Sequence, residues 1–175
     1  MGHECQHQHG YEAACQRRHL LGTFTTGAGQ NAAACAFDGA NIWVANNGSS
    51  NISKLRASDG ALLGTFATGM SPSGVVFDGA NIWTSNFGSN NVTKLRASDG
   101  TVLGTFPAGL GPNGICFDGA NIWVTDFHST TVTELLATSG VTLHTFTVGL
   151  EPQEAAFDGA HIWVTNFGGT TVSKL

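Results

Sequence analysis

The sequence predicts an all-β protein, a β-propeller built from four-stranded blades that repeat every 40 residues. The string Phe-Asp-Gly-Ala-Asn-Ile-Trp begins at Phe37, Phe77 and Phe117, and it returns at Phe157 with His161 in place of the asparagine. Each repeat holds four short runs of strand-forming residues, separated by turns rich in Gly, Asp, Ser and Asn. Four antiparallel strands repeated at this period are typical of propeller blades.

The second repeat shows the four strands of a blade most clearly, at residues 74–77, 81–86, 92–96 and 101–106. Asp78-Gly79 supplies a tight hairpin turn, because glycine tolerates a positive φ there. The second strand, with Ile82 and Trp83, is apolar on both faces rather than alternating, which predicts a sheet buried between two neighbours. We therefore expect one set of aromatic side chains to pack between blades: Trp43, Trp83, Trp123 and Trp163.

The repeat domain, residues 20–175, follows a compositionally different segment, residues 1–19. It opens with an orphan strand at 20–27, whose Leu-Gly-Thr-Phe matches a fourth strand, and its repeats start near residues 34, 74, 114 and 154. The last repeat stops after its third strand, so the orphan strand would complete that blade by strand exchange. Four blades per chain then form either a four-bladed monomer or an eight-bladed homodimer. The alternative is a fragment of a longer ring.

Composition argues against several classes of partner. The 175 residues carry a net charge of −5 with 7 Lys and Arg, and without a basic cluster we expect no nucleic-acid partner. No apolar run approaches the roughly 20 residues of a membrane span, so we expect no membrane partner. The N-terminus lacks the pattern of a secretory signal, which predicts a cytoplasmic protein. A processed or differently started N-terminus would make it secreted or periplasmic.

Two stretches carry a family resemblance. Residues 162–175, Ile-Trp-Val-Thr-Asn-Phe-Gly-Gly-Thr-Thr-Val-Ser-Lys-Leu, and residues 109–119, Gly-Leu-Gly-Pro-Asn-Gly-Ile-Cys-Phe-Asp-Gly, resemble the repeats of YVTN-type and NHL-type propellers. They are also similar to the repeats of the streptogramin B lyase family. The resemblance covers residues 20–175 and implies a propeller, in families that include binding modules, surface proteins and a few enzymes.

Similarity to the lyase family implies His and Glu residues with a magnesium ion around one mouth of the ring. In that family His follows the proline of the inter-blade loop, where this chain has Ala33, Ser73, Asn113 and Gln153. Glu ends the second strand there, where this chain has Asn46, Asn86, Asp126 and Asn166. With no histidine in the first set and one carboxylate in the second, the sequence argues against lyase activity.

Loops carry function in propellers, and one mouth collects the loops after the second and fourth strands. Asp126, His128, Glu151 and Glu154 depart from the repeat consensus in these loops. If they converge, they would suit a divalent metal ion or a general acid–base pair; drift among exposed residues is the alternative. The candidate ligand-binding residues of the mouth are Asn46, Asn86, Phe87, Asn113, Asp126, Phe127, His128, Glu151, Gln153, Glu154, Asn166 and Phe167.

Phe87, Phe127 and Phe167 share one position in the loop after the second strand. Exposed together, they would form an aromatic surface able to grip a sugar, a peptide or an apolar ligand. Buried, they would only pack adjacent blades together.

The N-terminal segment is rich in soft metal ligands: His3, Cys5, His7, His9, Cys15 and His19. Cysteine and neutral histidine suit zinc, copper or nickel, although this spacing matches no closed zinc motif. The segment is therefore either a metal-binding sequence or a polar leader. A divalent metal is the one cofactor that the sequence suggests.

These observations favour a non-enzymatic binding or interaction module that presents loops around a propeller mouth. The expected partners are a second copy of the chain and a small-molecule or protein ligand. One alternative is a metal-dependent enzyme, lyase-like or hydrolase-like, that uses Asp126, His128 and Glu151. The other is a structural repeat scaffold without a specific ligand.

Overall fold

Fifteen strands in four antiparallel sheets form the computed structural model, which describes residues 19–27 and 29–175. Within those residues the chain forms strands and turns, and it has no helix that could cross a membrane. Three sheets have four strands and the last has three, each in sequence order.

The strand bounds repeat from sheet to sheet. The first sheet holds β1 (Ala32–Phe37), β2 (Asn41–Asn46), β3 (Asn51–Arg56) and β4 (Leu62–Ala67). The second holds β5 (Pro72–Phe77), β6 (Asn81–Asn86), β7 (Asn91–Arg96) and β8 (Val102–Pro107). The third holds β9 (Pro112–Phe117), β10 (Asn121–Asp126), β11 (Thr131–Leu136) and β12 (Thr142–Thr147). The last holds β13 (Pro152–Phe157), β14 (Ile162–Asn166) and β15 (Thr171–Lys174).

The sheets are arranged as consecutive blades of a β-propeller. The first strand of each sheet packs against the first strand of the next, so that β1, β5, β9 and β13 line the centre. The strands predicted in the second repeat are confirmed to within two residues. The predicted all-β propeller repeat is therefore the observed architecture.

The repeated heptapeptide forms the hairpin between the first two strands of each blade. One oxygen of Asp78 accepts hydrogen bonds from the backbone N–H groups of Ala80 and Asn81, at 2.9 and 2.6 Å. Its other oxygen accepts the indole N–H of Trp83 at 2.8 Å. Burial raises the pKa of Asp78, but these hydrogen bonds outweigh it and lower the pKa below its ordinary value. The aspartate thus fixes both the turn and the orientation of the tryptophan.

The same contact recurs in the other blades at 2.7 Å, from Trp43 to Asp38, from Trp123 to Asp118 and from Trp163 to Asp158. Trp43 packs against Ile82 and Leu95 of the next blade. Trp83 and Trp123 make the corresponding contacts with the third and fourth blades. The prediction of inter-blade packing is confirmed for these three tryptophans. It is wrong for Trp163 within one chain, because that side chain is 40% exposed on the far face of the last blade.

The orphan strand predicted at 20–27 belongs to no sheet of the described chain. It lies instead against the first blade, where Thr26 O accepts a hydrogen bond from the Ser53 hydroxyl at 2.8 Å and the Phe24 ring covers Gly60. The ring of Phe66 covers Gly100 in the same way, and Phe66 belongs to a fourth strand. The segment therefore occupies a fourth-strand position without having a third strand beside it.

We expect Gly140→Ala to cost about 1–3 kcal/mol more stability than Gly119→Ala. Both glycines have positive φ, 78° and 103°, so backbone strain affects both variants. A Cβ at Gly140 would overlap the Phe106 ring, whereas Gly119 has no atom within 4 Å of the added carbon. Urea unfolding of the two variants measures the difference. Equal losses would contradict the role of the phenylalanine–glycine contact.

Candidate functional site

The loops after the second strand and the linkers that enter each blade lie together on one face, the mouth face. The N–H groups of Phe87 and Gly88 donate to the carbonyls of Ser71 and Met70, each at 3.0 Å. The third and fourth blades repeat the pattern, for example from Phe127 N–H to Gly111 O at 3.0 Å. Each loop is thereby attached to its blade's entry linker, which makes the mouth face a fixed surface.

An apolar strip crosses this face. The ring centroids of Phe87 and Phe127 lie 6.2 Å apart and those of Phe127 and Phe167 lie 6.0 Å apart. Phe87 and Phe127 are half-buried, and Phe167 is 64% exposed. We define the apolar strip as these three phenylalanines together with the exposed linker residues Met70, Leu110 and Leu150. The phenylalanines thus pack together and still present apolar surface, which combines both predicted alternatives.

His128 and Glu151 border the strip. The His128 ring meets Phe87 edge-on at 4.8 Å between centroids and lies 5.6 Å from Phe127. Phe127, His128, Leu150 and Glu151 line a cavity of about 430 Å³ between the third and fourth blades. Its walls combine apolar surface with one imidazole and one carboxylate.

The four residues that end the second strands are buried rather than exposed at the mouth: Asn46, Asn86, Asp126 and Asn166. The amide of Asn86 donates to Asn91 and Thr93, each at 2.8 Å. Asp126 instead accepts hydrogen bonds from the hydroxyls of Thr131 and Thr133, at 2.9 and 2.8 Å. These side chains therefore tie the second strand to the third, and they do not face a ligand.

The residues after the inter-blade proline line a separate, central cavity of about 440 Å³. Ser73, Asn113, Gln153 and Glu154 contribute to its wall, together with Asn47 of the first blade. Glu154 remains exposed, yet the cavity walls partly desolvate its carboxyl and raise its pKa. The cavity is the mouth of the channel between the first strands, and its lining is mainly polar and uncharged.

The predicted convergence of four polar residues is not observed. Asp126 is buried in its own blade, Glu154 lines the central cavity, and only His128 and Glu151 share a cavity. Within residues 19–27 and 29–175, no three His, Cys, Asp or Glu side chains are grouped to hold a metal ion. Asp126 departs from the repeat consensus, but the asparagine that it replaces is itself buried in the other blades. The departure therefore did not indicate a position at the mouth.

The predicted N-terminal metal ligands lie almost wholly outside the described residues, namely His3, Cys5, His7, His9 and Cys15. His19 is described and exposed. The metal-binding interpretation of this segment therefore stays a prediction.

Sequence reasoning missed a lysine that recurs in the third strand of three blades. The ammonium group of Lys54 lies 5.0 Å from the Trp43 ring centroid and donates to the carbonyls of Ala97 and Ser98 in the next blade, at 2.7 and 3.1 Å. Lys94 repeats these contacts. The sequence signal for these contacts was the Lys-Leu pair that recurs in the third strands, at residues 54–55, 94–95 and 174–175.

The third blade replaces this lysine with Glu134. Its carboxylate accepts a hydrogen bond from the Asn121 amide at 2.8 Å and meets the ring of His144 at 2.8 Å. His144 itself stands where the second blade has Gly104. Sequence reasoning also missed the pair of Glu134 and His144. Its signal in the sequence was that both residues differ from the residues at the same positions of the second repeat.

Solved structures share the architecture, and the chain has a β-propeller repeat fold. It superposes on the hydrazine synthase of Kuenenia stuttgartiensis over 90% of its residues, with a TM-score of 0.74 and 16% identity. Streptogramin B lyase matches 84% of the chain with a TM-score of 0.69 and 20% identity. The computationally designed Ika4 protein matches 83% with a TM-score of 0.74 and 14% identity. At these identities the likeness concerns the fold alone.

No known protein family and no curated protein matches the sequence. The chain spans about half of the natural proteins that it superposes on, 48% of the hydrazine synthase chain and 51% of the lyase. It spans 91% of the designed Ika4 protein.

We expect Asp126→Asn to stabilise the protein at neutral pH. Burial raises the pKa of Asp126, against hydrogen bonds from Thr133, Thr131 and the N–H of Gly109 that lower it. The folded chain therefore holds this proton more tightly than the unfolded chain. The resulting stabilisation is complete below the unfolded-state pKa and is lost as the pH rises through the raised pKa. Asparagine does not ionise, so Asp126→Asn avoids this loss of stability at neutral pH, which is about 1.4 kcal/mol per unit of pKa shift.

Urea unfolding between about pH 3.5 and pH 7 measures this effect. The advantage of Asp126→Asn over the original chain should grow as the pH rises. Asp118→Asn is the matched control, because its hydrogen bonds from Trp123 and from the turn N–H groups outweigh desolvation and lower the pKa of Asp118. The stability that is lost in Asp118→Asn should grow as the pH rises, because the ionised carboxylate of Asp118 stabilises the folded chain. Parallel behaviour of the two variants would overturn the assignment of Asp126.

Proposed function

We propose that the chain is a non-enzymatic binding module whose apolar strip takes an apolar or aromatic group of a peptide or small molecule. The observation that carries this proposal is the continuous row of phenylalanines, joined by exposed Met70, Leu110 and Leu150. Contiguous apolar surface on a soluble protein commonly marks a binding site. The attached loops support it further, because a fixed surface loses little conformational entropy on binding.

The cavity beside the strip suggests how one ligand group would be held. Phe127 and Leu150 supply apolar contacts, and His128 and Glu151 stand at its wall as hydrogen-bonding groups. A small number of polar groups in a mainly apolar pocket is the usual composition of a ligand site. The proposed ligand therefore carries an aromatic or branched aliphatic group next to a polar one.

Binding is favoured over catalysis by the engagement of the polar residues. The metal-dependent alternative needs Asp126 beside His128 and Glu151, but Asp126 is fully buried and accepts three hydrogen bonds. The position that carries the glutamate in the lyase family is likewise buried in the other blades. A catalytic carboxylate must reach its substrate, and buried Asp126 is held away from the mouth by its hydrogen bonds.

We also propose the finer details of the fold: repeats of the NHL or YVTN type, in a ring of eight blades formed by two chains. Support for eight blades comes from the open end of the last blade, where Trp163 is 40% exposed and Val172 is 57% exposed although their counterparts in the other blades are buried. The polar central cavity would then be half of a wider channel.

The binding proposal is tested with Nile red, a neutral dye whose emission rises in apolar surroundings. Phe127→Ser combined with Leu150→Ser should weaken dye binding at least fivefold, because both side chains line the cavity beside the strip. The measurement is a fluorescence titration on the full chain.

Leu63→Ser combined with Leu103→Ser is the matched control. These leucines are also exposed, at 44% and 42%, but they lie on the outer strands β4 and β8. Their replacement should leave the dye affinity within about twofold. If both double variants lose the same affinity, general surface hydrophobicity explains the binding and the proposal fails.

A further inference from the structure

The two ends of the arc expose complementary apolar surfaces. The first blade has a groove of about 510 Å³, the blade-1 groove, lined by Ile42, Val44 and Leu55 together with Leu21 and Phe24 of the N-terminal segment. The last blade presents the blade-4 face, formed by Trp163, Thr165, Val172 and Lys174. Val172 is 57% exposed, whereas its counterparts in the other three blades are fully buried.

We propose that the blade-4 face of one copy docks in the blade-1 groove of a second copy, and that the reciprocal contact closes an eight-bladed ring. The docking repeats the contacts that already join the blades inside one chain. Each copy supplies both halves of the interface, as a two-fold symmetric dimer requires. The interface rests on the two-chain ring proposed above, and it does not depend on which ligand the apolar strip binds.

The tryptophan contacts define the apolar part of the joint. Trp43 packs on Ile82 and Leu95 of the following blade. The repeat equivalents of those two residues are Ile42 and Leu55, and both line the blade-1 groove. Trp163 is held by Asp158 in the same way as the other tryptophans, at 2.7 Å. It is therefore already oriented to enter the groove of a second copy.

Phe24 occupies the position of the fourth strand that the last blade lacks among the described residues. Inside the chain, each tryptophan packs with the fourth-strand phenylalanine of its own blade, at 5.5, 5.5 and 5.4 Å between centroids. Trp163 has no such partner among the described residues. Phe24 already lies on Gly60 as Phe66 lies on Gly100, and its outer side is open. The docked Trp163 would cover it.

Strand pairing follows in a defined register. In the first blade Ile52 pairs with Phe66, Ser53 with Thr65 and Lys54 with Gly64. The equivalent pairs between two copies are Val172 with Phe24, Ser173 with Thr23 and Lys174 with Gly22. Residues 20–27 would then become the fourth strand beside β15 of the second copy, which removes an exposed sheet edge.

Two hydrogen-bond donors on the blade-4 face have their acceptors in the blade-1 groove. The Lys174 ammonium group lies 5.0 Å from the Trp163 centroid, as in the other blades, so its acceptors would be the carbonyls of Ala57 and Ser58. The Thr125 hydroxyl donates to Gln153 O of the next blade at 2.8 Å. Thr165 is its equivalent, and its acceptor would be the carbonyl of Ala33. The bond from Lys174 would have a charged donor and the bond from Thr165 would be buried, and these are the settings in which a hydrogen bond contributes most.

A second copy fits these surfaces better than the chain's own other end. The three internal joints are already packed, with Trp43, Trp83 and Trp123 buried, and the first two joints also have their inter-blade lysine bonded. Closing one chain on itself would rotate all three joints away from this close packing, which well-packed interfaces resist. A second copy closes the ring with no change at any of them.

Light scattering on a sizing column, over a concentration series of the full chain, tests the inference. We expect 36.2 kDa, twice the chain mass of 18.1 kDa. Val172→Asp should raise the dissociation constant at least 100-fold, because it buries a charge at both joints. Val141→Asp is the control, since Val141 is equally exposed, at 58%, but lies away from both end faces.

A single-chain mass at every concentration would overturn the inference, and so would equal masses for the two aspartate variants. A series of masses above the dimer would also overturn it, because it would mean open head-to-tail chains rather than a closed ring. Nile red binding is measured on the same variants. Failure of the original dimer to bind the dye would count against the binding function alone, so the two proposals fail separately.

A disulfide tests the register independently. In a chain with its four native cysteines replaced, Thr23→Cys and Ser173→Cys should form a covalent dimer on oxidation, since paired strand residues lie within disulfide reach. Thr25→Cys with Ser173→Cys, displaced by two residues, should form it much more slowly. A disulfide within one chain would overturn the dimer in favour of a four-bladed ring. No disulfide, or equal rates for both pairs, would overturn the register.

Discussion

The structure depends on one constraint: a small sheet that is apolar on both faces must be covered on both sides. The first two blades meet it with the same set of contacts, in which an aspartate holds the indole N–H, the tryptophan packs on the next blade, and a lysine above the ring bonds the next blade's carbonyls. The third blade keeps the aspartate and the tryptophan but has Glu134 in place of the lysine. Truncating a buried tryptophan typically costs about 3–5 kcal/mol. Burial of the tryptophans at the joints therefore contributes strongly to stability.

A residue that departs from the repeat consensus can have a structural role, and Asp126 is the example here. Asp126 stands where the other blades have asparagine, and it is tolerated because Thr131 and Thr133 both donate hydroxyl hydrogen bonds to it. In the second blade the equivalent of Thr131 is Asn91, whose oxygen accepts a bond from Asn86. A carboxylate there would face that oxygen and repel it. The fourth blade has the same threonine position, and there the hydroxyl of Thr171 accepts a hydrogen bond from the Asn166 amide at 2.9 Å. A hydroxyl at this position therefore suits either residue, and in the third blade it forms a buried network with Asp126 rather than a mouth site.

The mouth face combines rigidity with apolar surface. Backbone hydrogen bonds attach each loop to its entry linker, so the phenylalanine row keeps its spacing from blade to blade. The first blade interrupts the row with Asn47. In a two-chain ring the mouth would alternate two apolar strips with two polar gaps, and Phe167 of each copy would stand beside Asn47 of the other. Ligand binding and assembly would then meet at the same two joints.

By itself, the sequence determined the strand order, the turn positions and the propeller repeat, because runs of strand-forming residues, turn residues and the 40-residue period can be read along the chain. Only the tertiary structure decided that Asp126 is buried, that Glu154 and His128 line different cavities, and that Lys54 reaches the next blade. These facts depend on which way a side chain points across a joint between blades. Residues about 40 positions apart meet there, and a repeat pattern specifies their positions in the strand but not the neighbours that they meet in space.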